Sequence, residues 1–309
     1  MKYILLSDVH LCVDKPAGRL DSDMLQVGLN KLNYVFNYAR ENYIPYVLQA
    51  GDFVDIKRSW ELLSALTSFF EGWQKKGIKM LCVQGQHDSY FHDMSNQKTI
   101  MGVLINAGLI TRLNSIPVYS PDKIFAIYGA SFGEDVPKPS HQHRSILVCH
   151  RQILMSKIYK QQEQYDYAPV FSEQHSEYDI ILAGDAHQKY DFKLDGRYIC
   201  NAGPMMRLEA TDAMLNHMPG FYIFDSNKNK LSYEYIPAKK GSEVLSKSHI
   251  ELQKIRKHNF DDFIDKVKAG DQNQSLDFNE NLQVIIQQSK ASEQVKYHIG
   301  EYLAKGEKV

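Results

Sequence analysis

Apolar runs cut short by polar punctuation organise this chain. Residues 3–6 form an apolar run halted at Ser7-Asp8, which predicts a buried strand. Leu25, Leu29, Leu32, Val35, Phe36 and Ala39 then recur at the spacing of a helix's buried stripe, with Asp21 or Ser22 as its cap. A second strand is predicted at 46–49, ending at Gly51-Asp52, followed by a helix over 59–76 stopped by Gly77. A third strand at 78–83 ends at Gly85-Gln86-His87-Asp88, and a helix near 98–107 closes at Gly108. Strands and helices alternating in this way form βαβ units, so these strands should be parallel. Their carboxyl ends, where ligands gather in open α/β sheets, should then share one edge.

The second half reads differently. Residues 123–128, 145–149 and 178–183 are apolar runs. Phe192-Lys193-Leu194 and Arg197-Tyr198-Ile199 flank Asp195-Gly196, the signal of a tight hairpin, and 221–224 and 231–235 form another pair. A second, more antiparallel sheet packed on the first is expected. The tyrosine-rich stretch 151–177 reads as a partly helical excursion. From Pro237 the character shifts, with Lys239-Lys240-Gly241 as a linker and helical patterns at 260–267 and 282–303. The expected division is a domain over 1–236 and a small C-terminal α+β module over 237–309.

The 309 residues suffice for one large α/β domain with an appendage. A net charge of -1 excludes a global basic field, so any nucleic-acid contact must come from a local patch or bound metals. Cys12, Cys82, Cys149 and Cys200 form no C-x-x-C pair and read as reduced thiols of an intracellular protein, cytoplasmic in location. The opening apolar run is too short for a secretion signal, and no stretch has the roughly 18 apolar residues of a membrane span.

Five polar clusters follow strand-like runs: Asp8-x-His10, Gly51-Asp52, Gly85-Gln86-His87-Asp88, His150, and Gly184-Asp185-Ala186-His187. Carboxylates, imidazoles and a carboxamide gathered at strand ends suit a pair of divalent cations. Such a pair, roughly 3.5–4 Å apart, can clamp both the attacking and the leaving oxygen of a phosphoryl displacement. The order of these clusters resembles that of the calcineurin-like metallophosphoesterases. Within them, the start Ser7-Asp8-Val9-His10-Leu11 and the later Asn201-Ala202-Gly203-Pro204 are most similar to SbcD-type nucleases, phage versions included. The resemblance covers roughly residues 1–236. It implies an α/β sandwich of two sheets flanked by helices, and hydrolysis of phosphodiesters by a metal-bridging hydroxide. It further implies two manganese ions per chain, with magnesium as the alternative.

The resemblance also assigns roles. Asp8, His10 and His187 would hold one metal, Gln86, His150 and Asp185 the other, and Asp52 would bridge them. His87 would face the scissile phosphate, with Asp88 orienting its ring. DNA, a partner ATPase of the SbcC type held by C-terminal helices, and a second copy of the chain are the implied partners. Arg19, Lys57, Arg58, Tyr90 and Arg207 are candidate DNA contacts, against the plainer reading of solvated charge and packing.

Two positions depart from the family pattern: Gln86 stands for an asparagine and Asp185 for a histidine. One longer and one shorter arm around a shifted ion would favour hard cations, manganese or magnesium, over zinc. The rival functions are a phosphodiesterase acting alone on small substrates, and a non-catalytic scaffold with a weakened second metal site.

Overall fold

The computed structural model describes residues 1–55, 58–90, 98–140, 142–157, 162, 165–248, 286 and 295–296. In chain order come β1 (Lys2–Leu6), α1 (Met24–Glu41), β2 (Tyr46–Ala50), α2 (Trp60–Gln74), β3 (Lys79–Val83) and α3 (Ile100–Asn106). Next are β4 (Thr111–Arg112), β5 (Val118–Tyr119), β6 (Phe125–Ala130), β7 (Arg144–His150), β8 (Ile153–Leu154), β9 (Asp166–Tyr167) and α4 (Ala168–Gln174). β10 (Ile180–Gly184), β11 (Tyr190–Leu194), β12 (Arg197–Asn201), α5 (Asp212–Asn216), β13 (Gly220–Asp225), β14 (Lys230–Tyr235) and α6 (Gly241–Val244) complete the series.

Each early helix is capped by its own sequence. Asp23, rather than Asp21 or Ser22, accepts the Gln26 N–H at the start of α1. Ser59 and Thr99 do the same for α2 and α3. One sheet runs β14-β13-β1-β2-β3-β4 and the other β11-β12-β10-β7-β6-β5, with β8 and β9 as a separate parallel pair. Successive side chains of a strand point to opposite faces, and here both faces are covered. From β1, Tyr3 and Leu5 enter the layer between the sheets, with Leu48, Val83, Phe125, Val148 and Phe224. Ile4 and Leu6 face the other way, toward Phe36 of α1 and Phe70 and Trp73 of α2. The outer face of the second sheet is covered by Phe171 of α4, among others.

The second sheet differs from the expectation of antiparallel pairing. β6, β7, β10 and β12 are mutually parallel; antiparallel pairs occur only at its two edges. The β13–β14 hairpin belongs to the first sheet, where β13 runs antiparallel to β1, with Lys2 opposite Asp225. A hairpin signal specifies its own two strands but not the sheet it joins. The tight Asp195-Gly196 turn is present, both residues having positive φ, at 49° and 82°.

The chain divides into compact units Met1–Ser246 and Lys247–Val309. Residues 237–246 therefore lie with the first unit: Leu20 donates to the Val244 carbonyl and Leu245 bridges Arg19. The helices expected at 260–267 and 282–303 lie outside the described residues, apart from 286, 295 and 296.

Candidate metal centre

The carboxyl ends of β1, β2, β3, β7 and β10 converge, each carrying one of the five clusters. The turns out of these strands are tight. His10, Asp52 and Asp185 all have positive φ (53°, 50° and 73°), an arrangement that non-glycine residues adopt at a cost of about 1–3 kcal/mol each. Backbone hydrogen bonds hold them there: Val9 and His10 both donate to the Asp52 carbonyl at 3.0 Å. Gly184 is needed for close approach, since a Cβ there would strike the Ala50 carbonyl and the His150 ring.

Three groups of donor atoms result. Asp8, His10 and His187 form the first, and the Nε2 atoms of the two histidines approach to 2.9 Å. Asp8, Asp52 and His150 form the second, with His150 Nε2 3.3 Å from Asp52 Oδ2. Asp8 thus belongs to both. Asp8 Oδ1 accepts the Asp185 N–H at 2.9 Å, whereas its buried Oδ2 accepts nothing among the described residues. His150 Nδ1 lies 2.7 Å from the Ala50 carbonyl, which directs Nε2 to the centre. The two departures from the family pattern touch each other: Gln86 Nε2 donates to Asp185 Oδ1 at 2.8 Å, and Gln86 Oε1 lies 2.7 Å from His150 Nε2.

The third group, His10, Asp55 and His87, includes a residue that motif reading passed over. Asp55 Oδ1 lies 3.0 Å from His87 Nδ1 and 3.4 Å from His10 Nδ1. Its position three residues after Asp52, in the same strand-end loop, was the available signal. Asp88, expected to orient His87, is elsewhere. It is fully buried, and accepts Phe53 and Val54 N–H at 2.9 and 3.0 Å on Oδ1 and Gly85 N–H at 2.9 Å on Oδ2. It ties the β2 and β3 loops together, and Asp55 is the carboxylate at the His87 ring.

The electrostatics are those of an acid-rich, desolvated cage. Burial pushes the Asp8 carboxyl up, against the pull of the nearby His150, His187 and His10. Burial alone would also raise Asp52, but the hydrogen bond and charge of His150 outweigh it and hold Asp52 below its usual range. The same Asp52, with Asp8, lifts His150 to about 9 despite a burial effect in the opposite direction. Burial lowers His187. A buried carboxylate oxygen with no donor among the described residues, grouped with two imidazole Nε2 atoms 2.9 Å apart, fits divalent cations.

The candidate DNA contacts separate sharply. Arg19 and Arg207 are 2% and 1% exposed and bond inward, so burial removes them from any nucleic-acid surface. Arg58 is exposed, with its guanidinium 4.7 Å from the centre of the Tyr90 ring. Lys57 lies outside the described residues.

This two-sheet fold with a cation cage at its strand ends defines a phosphoester hydrolase that uses divalent metals. The calcineurin-like phosphoesterase superfamily domain matches residues 1–218, and the chain belongs to that superfamily. Similar solved structures include an archaeal phosphodiesterase, at 15% identity over 76% of this chain and 99% of that one, with a TM-score of 0.41. A putative 5′-nucleotidase from Staphylococcus aureus, in complex with alpha-ketoglutarate, matches at 11% identity over 77% of this chain and 55% of that one, with a TM-score of 0.46. Vps29 from Entamoeba histolytica, complexed with zinc, matches at 12% identity over 76% of this chain and 98% of that one, with a TM-score of 0.35. No curated protein sequence matches significantly. Among the described residues no helix is long and apolar enough to cross a membrane, and the four cysteines are buried and free.

Proposed function

We propose that this chain is a metal-dependent DNA nuclease, working with a partner ATPase of the SbcC type and as a homodimer. The observation that carries the hydrolytic part is the pair of donor groups meeting at Asp8, one through His10 and His187 and one through Asp52 and His150. The DNA part rests on the similarity of Ser7-Asp8-Val9-His10-Leu11 and Asn201-Ala202-Gly203-Pro204 to SbcD-type nucleases. That second segment is tied to the metal centre: Asn201 Nδ2 donates to the Ala186 carbonyl at 2.7 Å, and Met205, directly after it, donates its N–H to the Asp8 carbonyl. It thus braces both strand-end loops.

Asp8, His10 and His187 would hold one cation, and His150, Asp185 and Gln86 the other, with Asp52 between. Bound manganese would supply Lewis-acid stabilisation of phosphoryl charge and a nucleophilic water. His87 sits at the rim, its side chain 45% exposed, with Nδ1 held by Asp55. That contact keeps a proton on Nδ1 and turns Nε2 outward; as the imidazolium, protonated on both nitrogens, the ring can give its Nε2 proton to the leaving oxygen and remain neutral with Nδ1–H on Asp55. The Arg58–Tyr90 pair would meet a phosphate or a base beside the cleaved bond.

A second reading, a phosphodiesterase for small substrates, is favoured by a cleft of about 650 Å³ lined by His150 and Asp185 together with Glu134, Arg151 and Asp166. Manganese-dependent hydrolysis of labelled duplex and single-stranded DNA, beside a generic aryl phosphodiester, decides between them. DNA degradation that His87→Ala lowers by roughly 100-fold or more supports the nuclease. Cleavage of the aryl ester alone favours the second reading, and no metal-dependent cleavage at all overturns both.

A further inference from the structure

Away from the metal centre, three buried cations surround a second cavity of about 390 Å³, lined by Arg19, Lys31 and Arg207 with Asp21, Tyr34 and Lys239. Its volume is in the range of small-ligand sites. Arg19 and Arg207 are almost completely buried, and Lys31 is 6% exposed on the inward face of α1. Their hydrogen bonds go mostly to uncharged groups. Lys31 Nζ donates to the Met205 carbonyl at 2.7 Å, and Arg19 Nη1 to the Arg207 carbonyl at 2.8 Å. Arg207 donates to the carbonyls of His217 and Lys239, at 3.2 and 2.6 Å.

Carbonyls satisfy donors but do not neutralise charge. Asp21, paired with Arg19, is the one carboxylate of the lining among the described residues, while the Tyr34 hydroxyl turns to Glu234 at 3.2 Å. Arg19 Nε and Arg207 Nε are buried and have no hydrogen-bond partner among the described residues. Among the described residues of the lining, the basic groups Arg19, Lys31, Arg207 and Lys239 outnumber the single carboxylate, a positive excess that burial makes unfavourable unless Lys31 sheds its proton or an anion joins them. The neighbours register the excess. Burial first, and then Arg207 and Arg19, push Lys31 down to about 7. Burial, with Arg207 and Lys31 adding to it, pushes His217 down to about 4.

We propose that this cavity binds a phosphate monoester, its dianionic group seated among Arg19, Lys31 and Arg207. A dianion answers the positive excess, and guanidinium forks suit tetrahedral oxyanions. The volume beyond the cations leaves room for an ester group against Tyr34. This site is independent of the nuclease reading. It touches the metal centre through Met205 alone among the contacts given above, since its carbonyl takes Lys31 and its N–H holds Asp8.

The full chain, in excess chelator and at ionic strength matched with chloride, is titrated with inorganic phosphate and with adenosine monophosphate while thermal unfolding is followed. The midpoint should rise with both probes, or with the monoester alone if the ester group contributes, and should rise equally in His187→Ala, whose lesion is in the metal centre. Lys31→Met should weaken the affinity roughly 10-fold or more, the loss expected for one charge-assisted contact, and Lys31→Arg should restore it. Asp21→Asn, which removes the competing carboxylate, should tighten binding. No rise with either probe overturns the proposal. So does a rise unchanged in both Lys31→Met and Asp21→Asn, which would locate the anion elsewhere.

Discussion

Asp55 is the residue that ties two rings of the centre together. Its Oδ1 lies 3.0 Å from His87 Nδ1, which sets the nitrogen His87 presents, and 3.4 Å from His10 Nδ1, where it places a negative charge beside a metal-ligating ring. The usual effect of losing such a partner is 10–100-fold in metal affinity. Asp55→Asn should therefore weaken manganese binding by about that factor, and should lower turnover further through His87, read by calorimetry and by saturating-metal kinetics. Equal metal affinity in the variant would remove Asp55 from this role. His150 predicts a pH dependence. In the metal-free protein its imidazolium is favoured, with a proton affinity raised from 6.5 to about 9. That stabilisation is complete below pH 6.5 and is lost as pH rises through about 9. A metal needs the neutral ring, so binding below that pH must release a proton. The apparent affinity should climb with pH and level off near 9, and calorimetry in buffers of different ionisation enthalpy should register the proton.

At the scale of elements, the centre exists because strand ends approach more closely than side chains would allow. Gly184 of β10 is the test. A methyl group there meets the Ala50 carbonyl at the end of β2 and the ring of His150 from β7. Backbone cannot yield cheaply, so Gly184→Ala should separate β10 from its neighbours and cost about 1–3 kcal/mol of overpacking. It should also abolish the His150-side metal while leaving the secondary structure intact by circular dichroism. The outer layers obey ordinary helix physics. Lys31 stands on the buried stripe of α1 among Gly28, Leu32 and Val35, so a cation on an apolar face was the sequence's signal for the second cavity.

For the whole molecule, residues 237–246 decide where the first unit ends. Arg207 bonds to the Lys239 carbonyl, Leu20 to the Val244 carbonyl, and Val244 and Leu245 pack with Ala210 and Met214. A chain ending at Ser246 should keep the unfolding midpoint of the first unit and its hydrolysis of an aryl phosphodiester. A chain ending at Ile236 should unfold several degrees lower, because Arg207 loses an acceptor and the apolar cluster its cover. Equal midpoints would return the boundary to Pro237. The order of apolar runs and polar punctuation was enough to set the class of fold, the parallel βαβ start and the residues at the five strand ends. These follow from local periodicity and from chemistry that only a few residue types can supply. Tertiary structure alone decided which sheet the β13–β14 hairpin joins, that Asp55 rather than Asp88 faces His87, and that Arg19 and Arg207 turn inward. Each depends on contacts between segments far apart in the chain, and a charged residue reads the same in sequence whether water or a buried carbonyl receives it.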